Sequence, residues 1–287
     1  AARARSQDLD DMQRDGFNWI RVWATWAAFN TNLAAVQSNG APREPFLDRL
    51  EQLVADCDRR GLIVDVTLSR QNGATGPPRL LTLADHRRAV ETLIERLRPY
   101  RNWYLDLANE RSIRDIRFVS HTELKALRDR AKELDPRRLI TASHSSSDDE
   151  FLRELDAYLK TTRVDFLSPH RPRHRGSPDQ TAAMTRRCFE RMRELGVVVP
   201  VHHQEPFRRG FGTWEPTSED FLRDLRGALQ GGAAGWCFHN GAQRGDPDVK
   251  SRRSFDLRDQ RLYEQWDEVE KTVLNGLKAV MLEITTE

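Results

Sequence analysis

The feature that most constrains the fold of this chain is a regular alternation of short apolar runs with longer amphipathic segments. Seven runs of strand length recur about every 30 to 40 residues, and nearly all are followed by apolar residues at helical spacing. The predicted strands lie at 17–23, 62–69, 103–110, 138–143, 164–170, 197–205 and 233–240. The predicted helices lie at 5–15, 46–61, 84–98, 121–134, 149–160, 179–195, 217–230 and from about 259 onwards. Because strands that alternate with helices form parallel sheets, the pattern predicts an α/β fold.

The residues at the strand ends decide between an open sheet and a closed barrel. A nucleotide-binding open sheet would carry a glycine-rich phosphate loop, and the sequence contains neither GxGxxG nor GxxxxGK(S/T). Polar and aromatic residues instead follow almost every predicted strand: Arg21, Trp23, Ser69–Asn72, Asn109, Glu110, Ser143, His144, His170, His202–Glu205 and Trp236–Asn240. A (β/α)8 barrel builds its active site from such strand ends, so the sequence predicts a TIM barrel.

The number of strands sets a condition on this prediction. A closed barrel needs eight strands, whereas the sequence shows seven, with a helix in front of the first. We therefore expect the first strand to lie upstream of Ala1 or to be an irregular element. Since one barrel typically needs about 250 residues, residues 1–287 are predicted to form a single barrel domain, truncated at its N-terminus if the strand lies upstream.

Composition excludes several classes of protein. With 46 basic and 44 acidic residues the charge is too balanced to favour nucleic-acid binding, and no apolar run approaches the roughly 20 residues of a membrane span. The three cysteines (Cys57, Cys188, Cys237) are widely spaced and lack CxxC, so we expect free thiols instead of disulfides or a cysteine zinc site. The first residues show no signal-peptide apolar region, which leaves localisation open between secreted and cytoplasmic, since a leader could have been removed. The sequence also leaves the oligomeric state open.

Two glutamates end predicted strands that would face each other across the barrel. Glu110 ends the run 103–110 and Glu205 ends the run 197–205, the fourth and seventh strands if the missing one is counted first. In an eight-stranded ring of radius roughly 7 Å, these two ends lie roughly 13 Å apart. Side chains that reach inward by roughly 4 Å each leave about 5 Å between the carboxyl groups, the separation of a retaining glycosidase.

Five motifs in strand order give the sequence a family resemblance. They are "GFNWIRVW" with Arg21, "LANE" with Asn109 and Glu110, "LSPH" with His170, "HHQE" with Glu205, and "AAGWCFHN" with Trp236. On these motifs the chain resembles the clan A glycoside hydrolases of the cellulase or family 5 type, over about residues 5–245. The resemblance implies a (β/α)8 barrel that hydrolyses β-linked oligo- or polysaccharides with retention of configuration and without a cofactor or metal.

The resemblance implies roles for the two glutamates and their neighbours. Glu110 would be the acid/base and Glu205 the nucleophile of a two-step displacement. Arg21 would lie beneath Glu205 and keep it ionised, and Asn109 would hydrogen-bond the sugar 2-hydroxyl. The chain departs from the family after the nucleophile, where Pro206–Phe207 stands in place of the common aromatic residue and glycine.

Two further substrate-binding residues are implied, with further departures. His170 is similar to the family's strand 6 histidine, and Trp236 to the strand 8 tryptophan that forms the floor of the sugar site. Two residues after His170 the family usually has an aromatic residue, where this chain has Pro172. The family's strand 3 histidine is not evident, and Arg70 or Gln71 occupies that region. Substrate recognition therefore does not follow from the family pattern.

Several of these residues also have purely structural interpretations. Asn109 and Glu110 could start a helix, with asparagine as the N-cap and glutamate favoured by the helix dipole. Trp236 could fill the core, as large aromatic residues usually do. Asp106 is expected to pair inside the barrel with Arg21 or Arg70.

Other functions also stay open at this point. His144, His170, His202 and His203 are possible metal ligands, although no HxH or HExxH spacing appears. The basic run 169–178 is interpreted as a solvated loop. The alternatives to a glycosidase are a metal-dependent barrel hydrolase and a non-catalytic carbohydrate-binding barrel.

Overall fold

The computed structural model describes residues 2–28, 31–68, 79–113, 117–145, 147–210, 213–240, 255–257 and 260–285. The chain separates into two compact units. Unit 1 comprises Ala1–Gly16, Ser146–Arg153 and Ser168–Glu287, and unit 2 comprises Phe17–Ser145 and Glu154–Leu167. The predicted strand-end residues 69–72 lie outside the described residues.

Helices and strands follow one another in the predicted order. They are α1 (Ala2–Arg14), β1 (Trp19–Trp23), β2 (Ala27–Ala28), β3 (Thr31–Asn32), α2 (Phe46–Asp58), β4 (Ile63–Thr67), α3 (Leu83–Leu97), β5 (Trp103–Asp106), α4 (His121–Leu134), β6 (Ile140–Thr141), β7 (His144–Ser145), α5 (Asp148–Asp156), β8 (Pro169–His170), α6 (Ser177–Leu195), β9 (His202–His203), α7 (Ser218–Gln230), β10 (Gly235–Trp236) and α8 (Glu268–Thr285). Every predicted strand contains one of these strands, so the α/β prediction is confirmed. The strands after β5 have only two residues each, much shorter than the apolar runs that contain them.

Unit 2 is built on a four-stranded parallel sheet in the order β1-β4-β5-β6. The second strand of the sheet, β4, is buried on both faces, as its apolar run predicts: Val64 and Val66 on one face and Asp65 and Thr67 on the other have no exposed surface. Helix α4 begins where the sequence predicts because Ser120 and Glu123 form a capping box that satisfies the first backbone N–H groups.

Unit 1 contains the last three parallel elements. Strands β9 and β10 pair with Trp236 opposite His203, and a parallel bridge between His170 and Glu205 joins β8 to the residues that follow β9. Helices α7 and α8 supply most of an apolar cluster in this unit: Phe207, Phe221, Leu222, Leu225, Val273 and Val280. Thr217 and Asp220 form a capping box that fixes the start of α7.

The last helix begins later than predicted. A 3-10 turn over Tyr263–Gln265 comes first, and Trp266 is extended. The carboxylate of Asp267 then accepts the N–H of Val269 at 2.9 Å, which caps α8 at Glu268. The expected start near residue 259 was therefore wrong, because amphipathic spacing continues through residues that precede the cap.

Two expectations from composition can be compared with the structure. None of the three cysteines is in a disulfide, and Cys57 and Cys188 are buried while Cys237 is half-buried. Among the described helices, none combines the length and the apolar character that crossing a bilayer requires.

Candidate active site

Arg21 is the centre of a buried polar network in unit 2. The sheet register places it opposite Asp65 of β4. Its Nε lies 3.2 Å from Asp65 Oδ2, and its Nη2 donates to Asp106 Oδ2 at 3.1 Å and to Asn109 Oδ1 at 2.9 Å. Asp65 and Asp106 have no exposed surface. Of the two partners predicted for Asp106, Arg21 is confirmed by this contact, and Arg70 lies outside the described residues. Asp65 was not predicted, because the register was not known.

The tyrosine beside this network stays protonated. Burial, with a contribution from Asp65, raises the pKa of Tyr104 well above its usual value. Its hydroxyl donates to Asp65 Oδ2 at 3.0 Å and accepts from Trp19 Nε1 at 2.8 Å. The carboxylates around Arg21 are therefore held by several donors, which fixes the guanidinium in one place.

Asn109 and Glu110 lie in a turn after β5 and not at a helix start. Residues 109–112 form this turn, and the next described helix is α4, so the N-cap interpretation was wrong. The backbone N–H of Asn109 donates to the carbonyl of Leu68 at 2.8 Å, and that of Glu110 to Ser143 Oγ at 3.0 Å. Glu110 has φ +48°, the left-handed region that non-glycine residues rarely adopt. Such a backbone is a sign of a functional site when its neighbours hold it.

Arg111 anchors this turn from its other side. Its side chain is only 2% exposed and forms an ion pair with Glu154. Its Nε donates to the hydroxyl of Tyr158 at 3.1 Å, and its Nη1 to the carbonyl of Val119 at 3.3 Å. Burial raises the pKa of Tyr158 to about 12, so this hydroxyl keeps its proton at neutral pH. Arg111 was not predicted from the sequence, although an arginine directly after a buried run was a usable signal.

Glu205 lies in unit 1 with a cation and an imidazole beside it. Its side chain is 8% exposed, and Oε2 lies 2.5 Å from Nη2 of Arg173 and 3.5 Å from Nδ1 of His170. The other ring nitrogen of His170 lies 3.1 Å from Gln204 Oε1, so the ring is fixed between Gln204 and Glu205. His170 and Glu205 thus form one cluster, and Arg173 is a further member that was not predicted from the sequence.

The solvated-loop interpretation of residues 169–178 was wrong for two of its arginines. Arg171 is 3% exposed and forms a two-pronged ion pair with Asp148, through distances of 3.1 and 3.0 Å. Its Nη1 also donates to Thr181 Oγ1 at 2.8 Å. Arg173 is 14% exposed and faces Glu205. Only His174 and Arg175 of this run are exposed, which fits the original interpretation.

The side chain of Trp236 contacts the helices that pack against β10. Its Nε1 donates to Asp224 Oδ2 of α7 at 2.6 Å, and the ring packs against the apolar cluster of α7 and α8. Its strand partner His203 faces the same way, with Nε2 2.8 Å from Thr185 Oγ1 of α6. These contacts favour the core-filling interpretation of Trp236 over a sugar-stacking role.

Asp224 should make stability depend on pH. It is buried, and desolvation raises its pKa from 3.8 to about 6 even though Thr181 and Trp236 donate to it. Because the folded state binds this proton more tightly than the unfolded state, stability is lost as pH rises through this window. Relative to Asp224→Asn, the wild type should lose about 2 kcal/mol of unfolding free energy between about pH 4.5 and about pH 7. Denaturant unfolding of both proteins across this range is the measurement, and parallel curves would contradict it.

The chain resembles known proteins in its structure but not detectably in its sequence. No sequence-family model and no curated protein matches the chain. Solved structures do match: GH5_18 from Streptomyces cattleya in complex with GlcNAc has a TM-score of 0.66 at 16% identity, covering 100% of this chain and 76% of that one. A family 5 glycoside hydrolase from Prevotella bryantii B14 has a TM-score of 0.62 at 11% identity, covering 96% and 85%. The catalytic domain of a mannanase from Streptomyces sp. SirexAA-E has 0.61 at 14% identity, covering 95% and 80%.

The chain has the (β/α)8-barrel fold of the family 5 glycoside hydrolases. The structural match to these barrels confirms the predicted TIM-barrel fold. Because the sequence identities are only 11% to 16%, the similarity concerns the fold alone. In this fold the active site is built from the carboxyl ends of the strands, and Glu110 and Glu205 each follow the end of a strand. Among the described residues α1 precedes β1, so the location of the first barrel strand stays a prediction. The single-domain organisation also stays a prediction.

Proposed function

We propose that this chain is a retaining glycoside hydrolase of β-linked oligo- or polysaccharides, with Glu110 as acid/base and Glu205 as nucleophile. The observation that carries the proposal is the occurrence of a glutamate after β5 and another after β9 in a family 5 barrel fold. The fold alone does not determine the reaction, since a barrel hosts many reactions. Residue type and strand position together support glycoside hydrolysis.

The mechanism follows from the two carboxyl groups. Glu205 attacks the anomeric carbon while Glu110 gives its proton to the departing glycosidic oxygen, so that a glycosyl ester forms and the leaving sugar departs as an alcohol. Glu110, now ionised, takes a proton from water as the water attacks the same carbon. The ester bond breaks, and Glu205 leaves as a carboxylate. Two inversions at one carbon retain its configuration.

The neighbouring residues have supporting roles in this proposal. Because Arg21 donates to Oδ1 of Asn109, the amide nitrogen of Asn109 is the atom that would donate to the sugar 2-hydroxyl. Ser143 and Arg111 hold the backbone of the turn that carries Glu110. His170 limits the movement of Glu205 from the neighbouring strand.

Product stereochemistry tests the proposal. The wild type should hydrolyse at least one member of a panel of aryl β-glycosides, β-mannans and β-glucans, and the first product seen by NMR should be the β-anomer. Glu205→Gln, which keeps the size of the side chain, is the control and should release no product. An α-anomer as the first product would contradict the proposed double displacement.

The two alternative functions predict different results in the same assay. A metal-dependent hydrolase would lose activity on chelation and recover it with zinc. A carbohydrate-binding barrel would bind oligosaccharides from the panel without releasing product.

A further inference from the structure

The charge balance around Arg21 raises the question of which cation serves Glu205. The resemblance to clan A assigns that role to Arg21. In unit 2, however, this single guanidinium is in contact with two fully buried carboxylates, those of Asp65 and Asp106. A buried carboxylate is kept ionised by a cation in hydrogen-bonding contact with it.

Unit 1 contains such a cation in direct contact with Glu205. Nη2 of Arg173 lies 2.5 Å from Glu205 Oε2, and the two side chains are 14% and 8% exposed. A charge-assisted hydrogen bond at this burial is screened little by solvent and favours the ionised carboxylate. The backbone reinforces the pair, because the N–H of Arg171 donates to the carbonyl of Glu205 at 3.2 Å. The loop that carries Arg173 is thus tied to the strand end that carries Glu205.

We propose that Arg173 is the positioning residue that holds Glu205 ionised and oriented. The proposal deepens the glycosidase proposal, because it gives the nucleophile its electrostatic partner. It also gives a reason for the sequence departure at Pro172, since the chain places a guanidinium beside Glu205 where family members usually have an aromatic residue close by. When Glu205 becomes an ester, Arg173 loses its anionic partner, and hydrolysis of the ester restores the ion pair.

The test reads the charge of Glu205 without needing turnover. Carbodiimide and an amine label protonated carboxyl groups, and peptide mass spectrometry follows the segment that contains Glu205 as pH is varied. The variants are Arg173→Met, which keeps the length of the side chain, and Arg173→Lys, which keeps a positive charge. Arg175→Met is the matched control, because Arg175 is an exposed arginine of the same loop. His170, whose Nδ1 lies 3.5 Å from Glu205 Oε2, is unchanged throughout.

Removing the guanidinium should move the labelling midpoint of Glu205 upward by about one pH unit or more. In Arg173→Lys the labelling midpoint should lie most of the way back toward the wild-type value. The labelling curve of Arg175→Met should coincide with that of the wild type. On an aryl glycoside, the acidic limb of kcat/KM should move in the same direction as the labelling curve. Thermal unfolding of each variant shows whether it is folded at the pH values used.

The outcomes separate this proposal from the glycosidase proposal. Labelling curves that superimpose for the wild type and a folded Arg173→Met protein would overturn the role of Arg173. A shifted midpoint in a protein that hydrolyses no glycoside would support the ion pair and contradict the function instead.

Discussion

Replacing Glu110 by alanine should slow the hydrolysis of glycosides with poor leaving groups by about 10²- to 10⁴-fold. Activated aryl glycosides, whose phenolate leaves without a proton, should lose far less in the first step. Added azide should restore turnover on the activated substrates and give a β-glycosyl azide, because a small anion fits where the carboxylate was and needs no base. Parallel kinetics on a series of aryl glycosides with graded leaving groups, together with NMR of the azide product, provide the measurement.

The control for this result is Glu95→Ala, which removes an exposed glutamate on α3 and should leave both substrate types unaffected. Equal losses on good and poor leaving groups, without azide rescue, would assign Glu110 a structural role in its turn.

A 2-deoxy-2-fluoro glycoside with a good leaving group should trap Glu205 as a long-lived glycosyl ester. The fluorine destabilises the oxocarbenium-like transition states of both steps, while the leaving group accelerates only the first. Intact-mass measurement should show one sugar per chain, and turnover of an ordinary substrate should stop as the adduct accumulates. Peptide mapping should place the label on the segment "HHQEP".

Two controls make the trapping experiment decisive. Glu205→Gln should take up no label, and Glu110→Ala should still be labelled, because a good leaving group needs no acid. A label on any other carboxylate would mean that the nucleophile is not at the end of β9.

The alternation of strands and helices could be predicted because it is a local property. Helical spacing and capping residues act within about one turn, which is why α4 was predicted at its observed bounds, next to Ser120 and Glu123. The lengths of the later strands could not be predicted, because the ladder at β9 and β10 depends on which distant residues pair. An apolar run shows which residues are buried, and the buried residues extend beyond those that pair in a strand.

The candidate site was predictable in its residue types but not in its partners. The pairing of Arg21 with Asp106 was one of two predicted from charges inside apolar runs of a single parallel sheet. The Arg173 contact with Glu205 joins residues that are distant in sequence, and basic runs are usually solvated. A usable signal was present, since Arg173 comes shortly after the buried strand β8, where exposed charge is least expected. The left-handed backbone of Glu110 had no local signal, because neither glycine nor a turn motif marks it.

That left-handed backbone places folding and chemistry in conflict at a single position. A residue with a Cβ at φ +48° is roughly 1 kcal/mol less favourable there than glycine, which has no such penalty. Selection for stability alone would therefore drive position 110 toward glycine, and with it remove the carboxyl group. A use for that carboxyl group opposes this substitution. Position 110 is where the evolutionary demands of a well-folded chain and of a working one point to different amino acids.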